Sequence, residues 1–245
     1  MMLMLVPIAP LCAQEWDDDF ALDTDLDEFE DYQEFPDEIR AGVNERVKTF
    51  DIAGLMLGME MDAIREAMRE RRYTLKDTEF SIPEFFQFNY DALCRARNIF
   101  LPDALRGCIE GFGKTEKMRY MTRLTFERPD TKETVTVFLT SPLTRNRVWK
   151  IDYKNDVDDK PGPGINFQYQ REERRRAFWF SVIQKYGEPN VGKNQWVLDA
   201  NEEFSQNLKA FFGRLILENQ QAHLADVFET QREARRRFKT RDFTF

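Results

Sequence analysis

The chain has 245 residues, 44 acids against 36 Lys and Arg, and 22 Phe within an aromatic content of 13%, which excludes a disordered polyelectrolyte and supports a sizeable core. A mean hydropathy of −0.62 with 33% charged residues excludes a body built of membrane-spanning helices. Charge is unevenly laid down: residues 15–38 carry thirteen acids and no Lys or Arg, so the rest of the chain holds 31 acids against 36 bases, a net of +5.

Residues 1–13 are apolar and uncharged, and Gln14, Glu15 and a run of Asp follow at once. This reads as the back half of a signal peptide cleaved after Ala13, truncated at its start because the positive n-region is missing. The expectation is export to the periplasm. A lipidation signal is not met, because Leu11 rather than a small residue precedes Cys12. Residues 14–48 form an acidic flexible arm and linker: Phe20, Leu22, Leu26, Phe29, Tyr32 and Phe35 interrupt the acids without a period, and Pro36 closes the run. Asp23, Asp25, Asp27, Asp31 and Glu34 stand at positions 1, 3, 5, 9 and 12 of a calcium loop, the spacing that converges oxygens on one cation. Glu28 occupies the sixth position, where the chain must turn sharply on glycine, so no metal site is expected and a solvated arm is preferred.

The body, 49–245, opens with an apolar strand over 50–59 punctuated by Gly54 and Gly58, then a helix from Met59 to Arg72 with Met61, Ile64 and Met68 on one face. Residues 73–102 read as irregular, and a short helix follows Pro102. Three strands alternate cleanly: 119–128 around Leu124 and Phe126, 133–140 around Val135, Val137 and Leu139, and 147–154 around Val148, Ile151 and Tyr153. Pro161-Gly162-Pro163-Gly164 marks a connection. Beyond it stand a helix over 172–186 with Phe178, Val182 and Tyr186 on one face, strands over 195–198 and 213–217, and a helix over 219–237 with Leu224, Val227 and Phe228 inward. The fold class is therefore α+β: an antiparallel sheet of about five strands with helices packed on one face. The body admits a division into two related halves, 49–156 and 165–245.

With the leader removed, Cys94 and Cys108 remain, and an oxidising compartment favours a disulfide between them. Metal ligation is the poorer account, since no His or Cys stands within ligand spacing of either. His223 is the single histidine, and the Gly-x-Ser-x-Gly elbow of a hydrolase is absent. Gly111-Phe112-Gly113-Lys114-Thr115 imitates the end of a phosphate loop, but the glycine needed five positions before Gly113 is Cys108. The basic runs 65–72, 171–176 and 232–241 are laced with acids such as Glu66, Glu172 and Glu233, which marks solvated helices rather than a nucleic-acid surface. Phe243-Thr244-Phe245 looks like the terminus of an outer-membrane barrel, but the helices deny a barrel and a docked terminal strand is expected.

Two segments resemble a known class. Ile52-Ala53-Gly54-Leu55-Met56-Leu57-Gly58-Met59, followed by a helix with Asp62, Ile64 and Met68, and Lys185-Tyr186-Gly187-Glu188-Pro189 are similar to segments of uncharacterised proteobacterial periplasmic proteins. Those proteins share an architecture with the small lipoprotein subunit of the outer-membrane barrel-assembly machine and with β-lactamase-inhibitor-type proteins. The resemblance implies helices on an antiparallel sheet and transfers no active site.

The function expected from these residues is a noncatalytic periplasmic interaction or scaffold protein of the envelope, with an envelope protein partner, no cofactor and no nucleic acid. A first alternative is a binder of a small ligand, lipid or cell-wall fragment that uses Phe85, Phe86, Phe88 and Tyr90 as a cleft wall. A second is an envelope enzyme with an unrecognised carboxylate site, which requires two carboxylates converging in a cleft. The scaffold reading expects an exposed apolar patch or a free sheet edge.

Overall fold

The structure is a computed structural model and describes residues 43–155 and 166–238. The leader, the acids of the calcium-loop spacing, the Pro-Gly connection and Phe243-Thr244-Phe245 lie outside the described residues. The strands are β1 (Thr74–Ser81), β2 (Tyr120–Arg128), β3 (Glu133–Leu139), β4 (Val148–Asn155), β5 (Gln195–Val197), β6 (Asn207–Phe211) and β7 (Arg214–Glu218). The helices are α1 (Met61–Glu70), α2 (Glu84–Ala96), α3 (Pro102–Thr115), α4 (Asn166–Tyr186) and α5 (Gln220–Arg237). All seven strands join one antiparallel sheet in the order β1-β2-β3-β4-β7-β6-β5, so strands from both sides of the Pro-Gly connection share it.

Alternation sets the core. Leu124, Val137, Ile151, Leu217, Leu208 and Trp196 stand opposite one another in a row across six strands, and all are buried. Because the side-chain period of a strand is two, this register commits the residues two positions along each strand to the same face, including Phe126, Val135, Leu139 and Ala210. Ile64, Ala67 and Met68 of α1 cover that face together with Val182 and Tyr186 of α4. Each fully buried large side chain there is worth roughly 1.5–3 kcal/mol. Gly187 (φ +80°) ends α4 in the left-handed seat after the helix, its N–H bonded to the Ile183 carbonyl at 2.8 Å.

The expected strand over 50–59 is replaced by turns. Ile52 and Leu55 exchange two backbone hydrogen bonds of 2.9 Å around Ala53 (φ +50°) and Gly54 (φ +74°), a tight reversal that needs two positive φ values. The segment then meets β4, with Gly58 N–H donating to the Val148 carbonyl at 2.8 Å.

Seven strands stand where about five were expected, because β1 and β6 are added to the sheet. Helices also occupy more than one face. α1 and α4 cover the apolar face, whereas α5 meets β4 from the other side, where His223 stacks on Trp149 at 4.2 Å. Trp149 is the extra residue of a bulge between β3 and β4, which turns its ring toward Phe138. A second, smaller cluster unites Ile82, Phe86, Tyr90, Met118 and Ala234, drawing α2, α3 and α5 together.

Candidate functional site

α2 is apolar on two sides. Phe86, Tyr90 and Cys94 recur every fourth residue and are buried. Cys94 meets Cys108 of α3 with an S–S distance of 2.04 Å, so the hairpin is cross-linked between its two helices. Tyr90 stacks on Phe112 at 5.3 Å and packs edge-on to Phe238, while its hydroxyl donates to Glu116 at 2.9 Å. Burial, reinforced by the Glu116 carboxylate, holds the Tyr90 phenol well above its usual range. Phe85 is half-buried against this cluster. The structure therefore brings Phe85, Phe86 and Tyr90 together as packing, whereas Phe88 points away from them and is 76% exposed.

On the outer side of α2, Phe88, Ala92 and Ala96 recur every fourth residue and are exposed; Leu93, exposed as well, lies round the helix on the side of Phe86. The loop into α3 continues the apolar character with Phe100, 60% exposed, and Leu101, 75% exposed. Gln87, Asp91 and Arg95 separate this surface from the buried side. Pro102 then starts α3 at its first position, where the missing N–H costs nothing.

A buried polar cluster lies where α5 meets the β3–β4 connection. Asp226 is 4% exposed and accepts from Ser141 N–H at 2.9 Å, from Ser141 Oγ at 2.5 Å and from Thr144 Oγ1 at 2.5 Å. Ser141 also caps the short 3-10 turn Pro142–Thr144. Burial and the neighbouring Asp226 carboxylate push the Tyr120 phenol up to about 12. His223, one helical turn before Asp226, is half-buried, and burial lowers its basicity, helped by the nearby Lys150 ammonium against the opposing pull of Asp226. Serine, histidine and aspartate are all present, but the serine hydroxyl donates directly to the aspartate and Ser141 is fully buried. A nucleophile needs its base as hydrogen-bond acceptor and an open approach, so this cluster ties elements together rather than attacking a substrate.

The face opposite the apolar core is charged and paired. Glu218 is flanked by Lys150 at 3.2 Å and Lys209 at 3.4 Å, one from each neighbouring strand. Asp152 accepts both arms of Arg214 at 2.9 and 2.7 Å. At the margin of the apolar face instead, Glu133 accepts from the hydroxyls of Tyr73 at 2.7 Å and Tyr153 at 3.0 Å, with Arg128 at 3.7 Å. Burial, then the Glu133 carboxylate, holds both phenols high. Each carboxylate is matched to cations or hydroxyl donors, the pattern of a braced sheet. Among the described residues no group of three or more His, Cys, Asp or Glu is placed to hold a metal ion, and no helix is long and apolar enough to cross a membrane.

No protein-family model, curated protein or solved structure matches the chain.

Proposed function

We propose that this chain is a noncatalytic interaction protein of the periplasm, and that the outer side of the α2–α3 hairpin is its partner surface. The observation that carries this reading is the exposure of Phe88, Phe100 and Leu101 along one cross-linked hairpin. Single exposed apolar residues are ordinary, but a run of large ones on a braced element is what an interface core requires. A rigid hairpin also lowers the ordering cost of association. Support for an exported setting comes from the cysteine pair, since such a bond persists in oxidising compartments. Kinship with the periplasmic modules named above belongs to the same proposal, and helices on an antiparallel sheet agree with it.

The test is to place a photo-crosslinking amino acid at position 88, 101 or 130 and irradiate intact cells. Asp130 is an exposed turn residue and serves as the control. One adduct of defined mass, shared by positions 88 and 101 and missing at 130, is the expected result. No adduct at 88 or 101, or the same smear from all three positions, would overturn the reading.

A further inference from the structure

β1 closes one end of the sheet, and among the described residues no strand lies beyond it. There its residues Thr74–Ser81 make no backbone-to-backbone hydrogen bond outside the ladder to β2. A free edge of eight residues is a template for another strand, and folds ordinarily blunt such edges with bulges and charge. β1 carries both: register shifts between Leu75 and Asp77 and between Glu79 and Phe80, and the charges of Lys76, Asp77 and Glu79. Their placement also makes the edge complementary to itself.

In a regular strand, residues five apart face opposite sides of the sheet. The bulge after Leu75 inserts one residue and cancels that odd step. Leu75 thus stands opposite the buried Phe126, and Phe80 opposite Met121, which packs on the same core. Leu75 and Phe80 share the apolar face at 55% and 44% exposure, with Arg119 resting on the Phe80 ring at 4.6 Å. Thr78, opposite Leu124, lies between them on that face. Lys76 and Glu79 lean to the other face, where Lys76 meets Glu127 at 2.8 Å and Glu79 meets Arg123 at 2.7 Å. Both ion pairs are exposed and weak by themselves. Asp77 is turned onto its own strand and accepts from Thr78 N–H at 2.8 Å.

Read forwards and then backwards, the series Leu75, Lys76, Thr78, Glu79, Phe80 sets apolar against apolar, base against acid and threonine against threonine. We propose that β1 pairs antiparallel with β1 of a second copy of this chain, about a two-fold axis through Thr78, joining two seven-stranded sheets into one. Each Leu75 then packs beside the Phe80 of the other copy. Each Lys76 lies between its own Glu127 and the Glu79 of the other copy, which Arg123 backs in turn, so charges alternate in sign across the seam. A foreign strand would have to reproduce this alternation, whereas a second copy carries it. The contact uses none of Phe88, Phe100 and Leu101.

Sedimentation equilibrium of the full chain with its disulfide intact, between roughly 1 and 200 µM, tests this, because a single edge strand makes a small interface of micromolar strength. A monomer–dimer equilibrium is expected. Lys76→Glu sets acid against acid twice across the two-fold axis, and Glu79→Lys sets base against base, so each variant alone is expected to dimerise about tenfold more weakly. Mixed in equal amounts, the two variants are expected to pair with each other as tightly as the wild type pairs with itself, since every reversed charge then faces its opposite. Damage to the fold could not be repaired by mixing. Leu75→Asn, at an exposed position, is expected to weaken the dimer by a similar factor. A chain that stays monomeric throughout, a dimer undiminished by either charge reversal, or a mixture no tighter than the separate variants would each overturn the assignment. A dimer lost in Phe88→Ser and kept in Lys76→Glu would overturn it in favour of the α2–α3 hairpin as the contact.

Discussion

Replacing Asp226 by Ala removes one carboxylate that serves three donors from a segment 85 residues away in sequence. The Ser141 and Thr144 hydroxyls can rotate toward other acceptors, but the Ser141 N–H is fixed by its backbone and fully buried. An orphaned buried donor costs about 1–3 kcal/mol, and each lost bond to a charged acceptor is worth about 1.5–3 kcal/mol before relaxation. Hydroxyl rotation recovers part of this, so the expected destabilisation is about 4 kcal/mol, a large share of a typical stability of roughly 5–15 kcal/mol. Asp226→Asn keeps the shape and one acceptor oxygen, so about half that loss is expected. The assay is equilibrium unfolding in urea with the disulfide intact. With a slope of about 2 kcal/mol per molar, Asp226→Ala lowers the midpoint by about 2 M and Asp226→Asn by about 1 M, the slope itself unchanged. A loss below about 1 kcal/mol for the alanine variant, or an asparagine variant at least as unstable, would refute the idea that this carboxylate ties α5 to the sheet.

Cys94→Ser with Cys108→Ser opens a loop whose ends are 14 residues apart, with an expected loss of about 3 kcal/mol in the chain-entropy account and a melting temperature lowered by roughly 6–12 °C. Gly113→Ala drives a Cβ into the Ile82 side chain in the second cluster, so about 1–3 kcal/mol is lost, whereas Gly107→Ala meets nothing within 4 Å and gains about 0.5–1 kcal/mol; thermal melts of the two should move in opposite directions. His223 is less basic in the native state than its ordinary 6.5, so the unfolded chain takes up its proton first as the solution is acidified. Its contribution is therefore intact above pH 6.5 and is lost as pH falls through the lower native value, and His223→Phe should flatten the change in urea midpoint between pH 7.5 and 5.5.

What could be read in the sequence followed the periodicities. α1 and α4 each bury one stripe, Ile64 with Met68 and Val182 with Tyr186, and β2, β3 and β4 each bury alternate residues, so their patterns were visible. β1 was not, because an edge strand exposed on both faces and broken by two register shifts carries no alternation. α2 was hidden for the opposite reason: apolar residues on two sides erase the stripe that marks a surface helix. β6 buries only Leu208 and Ala210 among its alternating positions, too short a signal beside a polar loop. Periodicity finds the last helix but sets Leu224, Val227 and Phe228 inward, whereas the first two are only half-buried. Phe228 is 65% exposed, and the buried line is Asp226, Thr230 and Ala234, every fourth residue. Hydrophobicity cannot find such a face, since its partner is a serine far along the chain; a stride of small and polar residues through an otherwise charged helix was the available cue. Cys94 and Cys108 were legible because neither has a His or another Cys within metal-ligand spacing, which leaves each other as partner.

These observations bear on how a surface as apolar as the outer side of α2 is kept from collapsing inward. The second cluster has few buried side chains, and burial alone would hold α2, α3 and α5 weakly against the sheet. Three directional ties supplement it: the Cys94–Cys108 bond, the Tyr90–Glu116–Arg237 chain at 2.9 and 3.5 Å, and the Asp226 contacts to the β3–β4 connection. Directional ties fix orientation where apolar contacts tolerate sliding, so α2 cannot roll to exchange Phe88 for Phe86. The sheet and its α1–α4 cover have a continuous row of apolar pairs, with the Lys150–Glu218 and Asp152–Arg214 pairs on the opposite face. Hydrophobic burial thus supports the sheet, while covalent and polar ties hold the layer that displays Phe88, Phe100 and Leu101.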